Sequence, residues 1–325
     1  MAFLKTISFI FLCFVTWCLG RIVFYNDYST MAIDPIANPE VEKMEVSPRA
    51  GVHLLSYAQG KAIFFQNQQA LAASALNRGI DFIHNYRKSH LDPEFVAKNK
   101  AILQEKIGGG FWLWKPWIIA QTLKQVPEND LVIYADSGLV FQSSITPMLE
   151  AMGDKDVMLV AYNPLEDGYP IEVTKRDVFV RLKCDEPRCW EGQHLWAAFL
   201  AVKNTPQARA FIEEWLELCQ EDQLLMNTPS ISPAHRRQKK HHHDESILSA
   251  LYNARALKGD TFFKIMPVAE FRKTLFWHHR HPGKESVSIL HKSSYFSMRG
   301  IERDWVLNAP WMKKLREYLL GKTGS

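Results

Sequence analysis

The feature that most narrows what this chain can fold into is an alternation. From Gly51 onward, short apolar runs of strand length are separated by longer stretches with helical spacing. The runs VHLLSY (52–57), IDFI (80–83), LVIYA (131–135), VMLVAY (157–162) and WAAFLAV (196–202) read as strands. Ile63–Arg78, Pro116–Val126, Thr146–Met152, Pro206–Gln220 and Asp244–Arg255 read as helices. Strands and helices taken in turn predict an α/β domain, a Rossmann-like, mainly parallel sheet flanked by helices. Pro116 suits the first helical position, where its missing N–H is not needed and its φ is already helical. No internal repeat is visible, so residues 51–325 are expected to form one domain.

The 50 residues before it are of another kind. Lys5 precedes Thr6–Leu19, an uncharged and largely apolar run. It is shorter than the roughly 20 residues of a membrane span, unless Arg21 snorkels and Ile22–Tyr25 extend it. Residues 1–25 are therefore expected to be an uncleaved type II signal-anchor; a cleaved signal peptide with Cys18 and Gly20 at its small positions is the alternative. Both send the chain across a membrane, to a Golgi or endoplasmic reticulum lumen in a eukaryote, or outside the cell. Residues 26–50, with Asp34-Pro35, Asn38-Pro39 and Ser47-Pro48, read as a stem. Cys184 and Cys189 are close enough to close a small disulfide loop in an oxidising compartment; free thiols and a zinc half-site are the other readings. With 39 Lys+Arg against 35 Asp+Glu, the charge balance gives no reason to expect a nucleic-acid partner.

In an open α/β sheet, ligands gather beyond the carboxyl ends of the strands. The stretch Tyr134-Ala135-Asp136-Ser137-Gly138, directly after LVIYA, is the best-placed candidate. A carboxylate there can hold a divalent cation that bridges nucleotide phosphates; the competing reading is a plain turn. Upstream, Gly108-Gly109-Gly110-Phe111-Trp112-Leu113-Trp114-Lys115-Pro116 lacks the Gly-Lys-Ser/Thr of a triphosphate loop. Trp112 and Trp117 suit a core as well as a site. Lys115, a cation at a helix start, is a poor structural choice and a good diphosphate clamp. No nucleophile elbow, HExxH or GxGxxG occurs, which leaves hydrolase, zinc-peptidase and dinucleotide oxidoreductase readings without support.

GFWLWKPWII (110–119), YADSG (134–138) and HDESIL (243–248) together resemble glycosyltransferases of the GT-A type, over about residues 52–295. The resemblance implies a nucleotide-sugar donor and a glycan or other hydroxyl acceptor. It places Trp114, Lys115, Tyr134, Asp136, Ser137 and Gly138 on the donor side, with Mn²⁺ or Mg²⁺ at Asp136. Such enzymes usually carry D-x-D, whereas the third position here is Gly138. His291, in the Ser288–Lys292 run, is then the expected second metal ligand, and a structural histidine is the alternative; Lys292 is placed to touch phosphate. In the HDESIL segment Asp244 is expected as general base and Glu245 as the second choice, with simple capping by Asp244 or His243 as the alternative. Consecutive histidines point in different directions, so His241–His243, after Arg236-Arg237-Gln238-Lys239-Lys240, read as a basic mobile loop rather than a metal site. Glu191, Gln193 and His194 are candidates to meet an acceptor sugar, and Phe276–His281 is an acceptor edge or a membrane-facing patch. A nucleotidyltransferase and a non-catalytic glycan-binding scaffold are the rival functions.

Overall fold

Four strands, Val52–Ala58, Leu131–Ala135, Val157–Ala161 and Leu195–Lys203, buried at every residue but Lys203, are the spine of the molecule. The computed structural model describes residues 50–278 together with Phe11, Phe14 and the pair Ile36–Ala37. Most of the expected anchor and stem, the side chains of 276–281, and His291 and Lys292 lie outside the described residues. No described helix is long and apolar enough to cross a membrane.

The strands are β1 (Ile36–Ala37), β2 (Val52–Ala58), β3 (Phe82–Arg87), β4 (Leu131–Ala135), β5 (Leu139–Phe141), β6 (Val157–Ala161), β7 (Leu195–Lys203), β8 (Phe263–Pro267) and β9 (Phe276–His278). Seven of them form one sheet in the order β1-β3-β2-β4-β7-β6-β8, and β5 pairs with β9 in a separate ribbon. β3, β2 and β4 are mutually parallel, as are β6 and β8. β7 runs against both of its neighbours, and two-residue β1 runs against β3. The mainly parallel sheet expected from the alternation is thus found, with an inserted reversed strand that it did not foresee.

Successive residues of each strand serve opposite cores, as a period of two requires. Leu55, Tyr57, Val132, Tyr134 and Leu200 face one core with helices α2 (Trp114–Gln125), α3 (Pro206–Cys219) and α4 (Asp244–Leu257). Leu54, Ile133, Met158 and Ala201 face the other, together with Leu71 of α1 (Ala62–Ala75) and with Phe271. Helix α3 starts on a working cap, Thr205 accepting from Ala208 N–H, with Pro206 at its first position. Helix α2 begins two residues earlier than expected, so Pro116 lies inside its first turn, where an N–H still has no intrahelical partner. β3 runs from Phe82 to Arg87 rather than 80–83; its alternating burial includes polar His84 and Asn85 and so carries no continuous apolar signal.

At the amino ends of these strands, Asp130 accepts from His53 Nε2–H at 2.9 Å, which leaves His53 Nδ1 to accept from His84 Nε2–H at 3.1 Å. Burial, and secondarily the neighbouring His53, lower the His84 imidazole to about 4. Its stabilising contribution is complete above the ordinary histidine value of 6.5 and is lost as pH falls toward 4, because only the unfolded chain takes up the proton in that window. Urea unfolding at pH 7, 5.5 and 4 should show His84→Gln losing on the order of 2–3 kcal/mol less than the parent over that range.

Candidate active site

The carboxyl end of β4 opens into a turn through Asp136, Ser137 and Gly138, closed by Leu139 N–H donating to Asp136 O at 2.9 Å. Asp136 is pinned from two sides. Its N–H donates to Ala198 O of β7 at 2.8 Å, and its Oδ1 accepts from the Tyr134 hydroxyl. Burial, reinforced by the Asp136 charge, drives the Tyr134 phenol well above its ordinary range, so it remains a donor.

Lys115 enters the same spot from the first turn of α2. Its Nζ lies 2.7 Å from Asp244 Oδ2 and 3.8 Å from Asp136 Oδ1, and donates to Ala197 O at 3.1 Å. The Lys115 and Asp244 side chains are each 4% exposed, that of Asp136 30%. The sequence suggests a diphosphate clamp at Lys115; the structure gives its ammonium protein partners instead. A buried cation at a helix N-terminus opposes the macrodipole and must be matched by anions. Its burial disfavours the charge, but Asp244, Asp136 and Glu245 outweigh that and hold it protonated. Burial pushes the Asp244 carboxyl up to about 7 against the pull of Lys115, with Glu245 and Asp136 adding to the rise.

The described surroundings of Asp136 hold no second free carboxylate for a divalent ion. Its described neighbours are a phenol and an ammonium, the Asp244 carboxylate is taken by Lys115, and His291, the expected second ligand, lies outside the described residues. A hard cation requires several oxygen ligands.

The glycine triplet explains how Trp114 and Lys115 are presented. Gly108, Gly109, Gly110, Phe111 and Trp112 all have positive φ, 57°, 62°, 100°, 50° and 60° in order. This left-handed turn is costly for residues with a Cβ. A Cβ on Gly109 would collide with the Gln59 side-chain amide, and one on Gly110 would lie 2.9 Å from Leu103 Cα. Trp114 is walled in beyond the turn, stacked on Tyr57 at 4.0 Å with its Nε1–H on Gly108 O at 2.9 Å. Gln59 accepts from the Tyr57 hydroxyl at 2.7 Å, and its amide lies against Gly109 of the glycine turn.

The start of α4 supplies a second cluster. His241 Nε2 and His243 Nδ1 each lie 2.8 Å from carbonyls of the 222–225 turn, those of Leu224 and Leu225, and burial keeps both imidazoles below the usual range. The preceding segment is laced to its surroundings, with Lys239 N–H on Glu172 O, His242 N–H on Val173 O and Arg237 paired to Glu172 and Glu191. The expected basic mobile loop is therefore a docked segment. His243 occupies the N-cap position with φ 55°, but its side chain makes no capping bond. His242 turns the other way, toward Glu245 Oε1 at 3.1 Å. Glu245 Oε1 also lies 3.6 Å from His194 Nε2, and its Oε2 accepts from Ala197 N–H at 3.1 Å. Burial disfavours the Glu245 charge, but His194 and His242 outweigh it and hold the carboxyl at about 2. His194 thus reaches this cluster, while Glu191 turns to Arg237 and Gln193 N–H to Asn253. Cys184 and Cys189 form the disulfide.

No protein-family model matches the chain, and a comparison with curated proteins found no significant match. Among solved structures it is similar to a glycosyltransferase involved in glycosylation of the major capsid of the virus PBCV-1, at 11% identity and TM-score 0.40 over 75% of this chain and 96% of that one. It is also similar to the glycosyltransferase GlyE of Streptococcus pneumoniae TIGR4, at 15% identity and TM-score 0.38 over 82% of this chain and 64% of that one. Mouse xyloside xylosyltransferase 1 gives 10% identity and TM-score 0.37 over 67% and 84%. Similarity at this level says nothing of substrate or reaction.

Two expectations follow from the geometry. Lys115→Met leaves a buried Asp244 unpaired and should destabilise the protein by about 3–5 kcal/mol, much of it recovered in Lys115→Met/Asp244→Leu; denaturant unfolding of the single and double variants measures this. Gly110→Ala adds a Cβ at positive φ against backbone and should lower stability by about 2 kcal/mol or more by the same measurement.

Proposed function

We propose that the protein is a GT-A type glycosyltransferase that moves a sugar from a nucleoside-diphosphate donor to a hydroxyl of a glycan or other acceptor. The observation that carries this is a meeting of segments. The GFWLWKPWII, YADSG and HDESIL stretches are far apart in the chain, and they converge through Lys115, Asp136 and Asp244 beside the carboxyl end of β4. That is where open α/β sheets bind their ligands. The motif resemblance and the spatial convergence are separate observations, and together they support the reading.

In the transfer, the bond between the anomeric carbon and the diphosphate oxygen breaks, the acceptor oxygen bonds to that carbon, and the acceptor proton passes to a base. Asp136 is the most open of the three residues and is proposed to face the substrates. Lys115 and Asp244 are nearly closed off from solvent and act through it as positioning residues. The buried Asp244 is accordingly less suited to meet an acceptor hydroxyl than the sequence suggests. The apolar N-terminal run and the Cys184–Cys189 disulfide support placing this activity in an oxidising lumen, on a type II anchor.

The test is nucleoside-diphosphate release by the full chain from a panel of nucleotide sugars with candidate acceptors. Asp136→Asn should lower kcat by at least about 100-fold while the protein stays folded by circular dichroism, since Asp244 still pairs with Lys115. Pyrophosphate release from a nucleoside triphosphate and a sugar phosphate would make the protein a nucleotidyltransferase instead. A folded protein that turns over no donor would sink the enzyme reading in favour of a glycan-binding scaffold.

A further inference from the structure

We infer that His194, His242 and Glu245 form a binding site for one first-row divalent transition-metal ion, with zinc the preferred occupant. The ligand atoms of the three residues all lie within 4.8 Å of one another. Glu245 Oε1 is 3.1 Å from His242 Nδ1 and 3.6 Å from His194 Nε2. Two donors held about 2.0–2.1 Å from a tetrahedral zinc ion are themselves about 3.4 Å apart, so the protein already sets the spacing an ion needs.

The decisive group is His194. Its Nδ1–H donates to Gly168 O at 3.0 Å, which turns Nε2 toward Glu245 Oε1 and makes it the nitrogen that an ion would take, with release of any proton it carries. The residue is 2% exposed, and Nε2 is buried without a hydrogen-bond partner. Glu245 Oε1 at 3.6 Å is beyond hydrogen-bond reach. A buried ring nitrogen left in this state is rare unless something absent from the chain completes it. The outer arrangement is that of a ligand set held in place. The backbone carbonyl of Gly168 orients His194, Ala197 N–H occupies Glu245 Oε2 and turns Oε1 toward the two imidazoles, and the Tyr162 ring packs on His194 at 4.6 Å.

The donor chemistry selects the ion. Two imidazoles and one carboxylate suit zinc and its first-row neighbours; magnesium and calcium prefer all-oxygen sites. The His242 side chain is 29% exposed and that of Glu245 15%, so the site is open on one side. Three protein ligands with an open fourth position are the pattern of a reactive zinc site rather than a purely structural one. The nearby Lys115 ammonium is matched by Asp244 and Asp136. The site stands whether or not a sugar donor is turned over.

The test uses the full-length chain, purified without a polyhistidine tag, stripped with EDTA and titrated with zinc chloride in a calorimeter. The expected result is one equivalent bound, with X-ray absorption showing a nitrogen and oxygen shell at about 2.0–2.1 Å that includes imidazole. His194→Ala and the near-isosteric Glu245→Gln should each weaken binding by more than the roughly 10–100-fold typical of losing an outer-shell partner, with circular dichroism confirming that Glu245→Gln is folded. No stoichiometric zinc on the parent protein overturns the proposal. So does equal binding by the parent and both variants, which would move the ion elsewhere, to the His278-His279-Arg280-His281 stretch for example.

Discussion

A buried lysine at the start of a helix is the constraint around which the rest is arranged. The Lys115 ammonium cannot leave water alone, and α2 cannot adopt its place in the core without burying it. Asp244 and Ala197 O meet it, which fixes the beginning of α4 and the amino end of β7 relative to α2. Asp244 is held from behind as well, since the Trp215 Nε1–H of α3 donates to its backbone carbonyl at 3.0 Å. A buried pair of this kind contributes little net stability compared with apolar residues of the same shape. Its effect here is to set register, because a shift of any one element would leave an unpaired charge in the core. The nearby Asp136 carboxylate inherits that order through Lys115 and Tyr134.

The reversed direction of β7 then decides which residues share the site. Had β7 been parallel to its neighbours, its amino end would lie at the far edge of the sheet. Because it is antiparallel, Leu195 to Ala198 sit beside the carboxyl ends of β4 and β6. The β6–β7 register also slips between Leu159 and Ala161. Near that irregularity Ala197 gives its carbonyl to Lys115 and its N–H to Glu245, so one residue of backbone joins the two polar clusters. Irregularities in a ladder gather beside functional sites for this reason: they redirect backbone groups that a regular strand would commit to its neighbours.

Much of this was legible in the sequence, and the boundary between what was and what was not is physical. Strands buried on both faces, such as LVIYA at 131–135, announce themselves by composition and were placed within a residue. So were α3 and the start of α4, where Pro206 and Asp244 mark the first turns. β8 and β9 were not found, because a half-exposed edge strand and a three-residue strand carry too little apolar signal. Strand direction is invisible to periodicity altogether, which is why the sequence groups His194 with Glu191 and Gln193 as candidates for an acceptor sugar and does not join it to Glu245. His242 was hidden by its neighbours. In a run of three histidines the side chains diverge, and only packing shows that His241 and His243 go to carbonyls of the 222–225 turn while His242 goes to Glu245.

Asp244 and Glu245 show how adjacent residues with the same chemistry are driven apart by what surrounds them. Both carboxylates are deeply set at the first turn of α4, where the helix N-terminus favours a negative charge on either. Asp244 meets one ammonium, which it shares with Asp136, and burial prevails, so its carboxyl rises to about 7. Glu245 receives a backbone N–H on one oxygen and two imidazoles near the other, and these prevail over burial, so its carboxyl falls to about 2. The number of donors per oxygen, more than depth, sets the difference. The same inequality divides their work. Asp244, balanced against a single lysine, holds that lysine and through it Asp136 in place, while Glu245 ties Ala197 of β7 to His242 and His194.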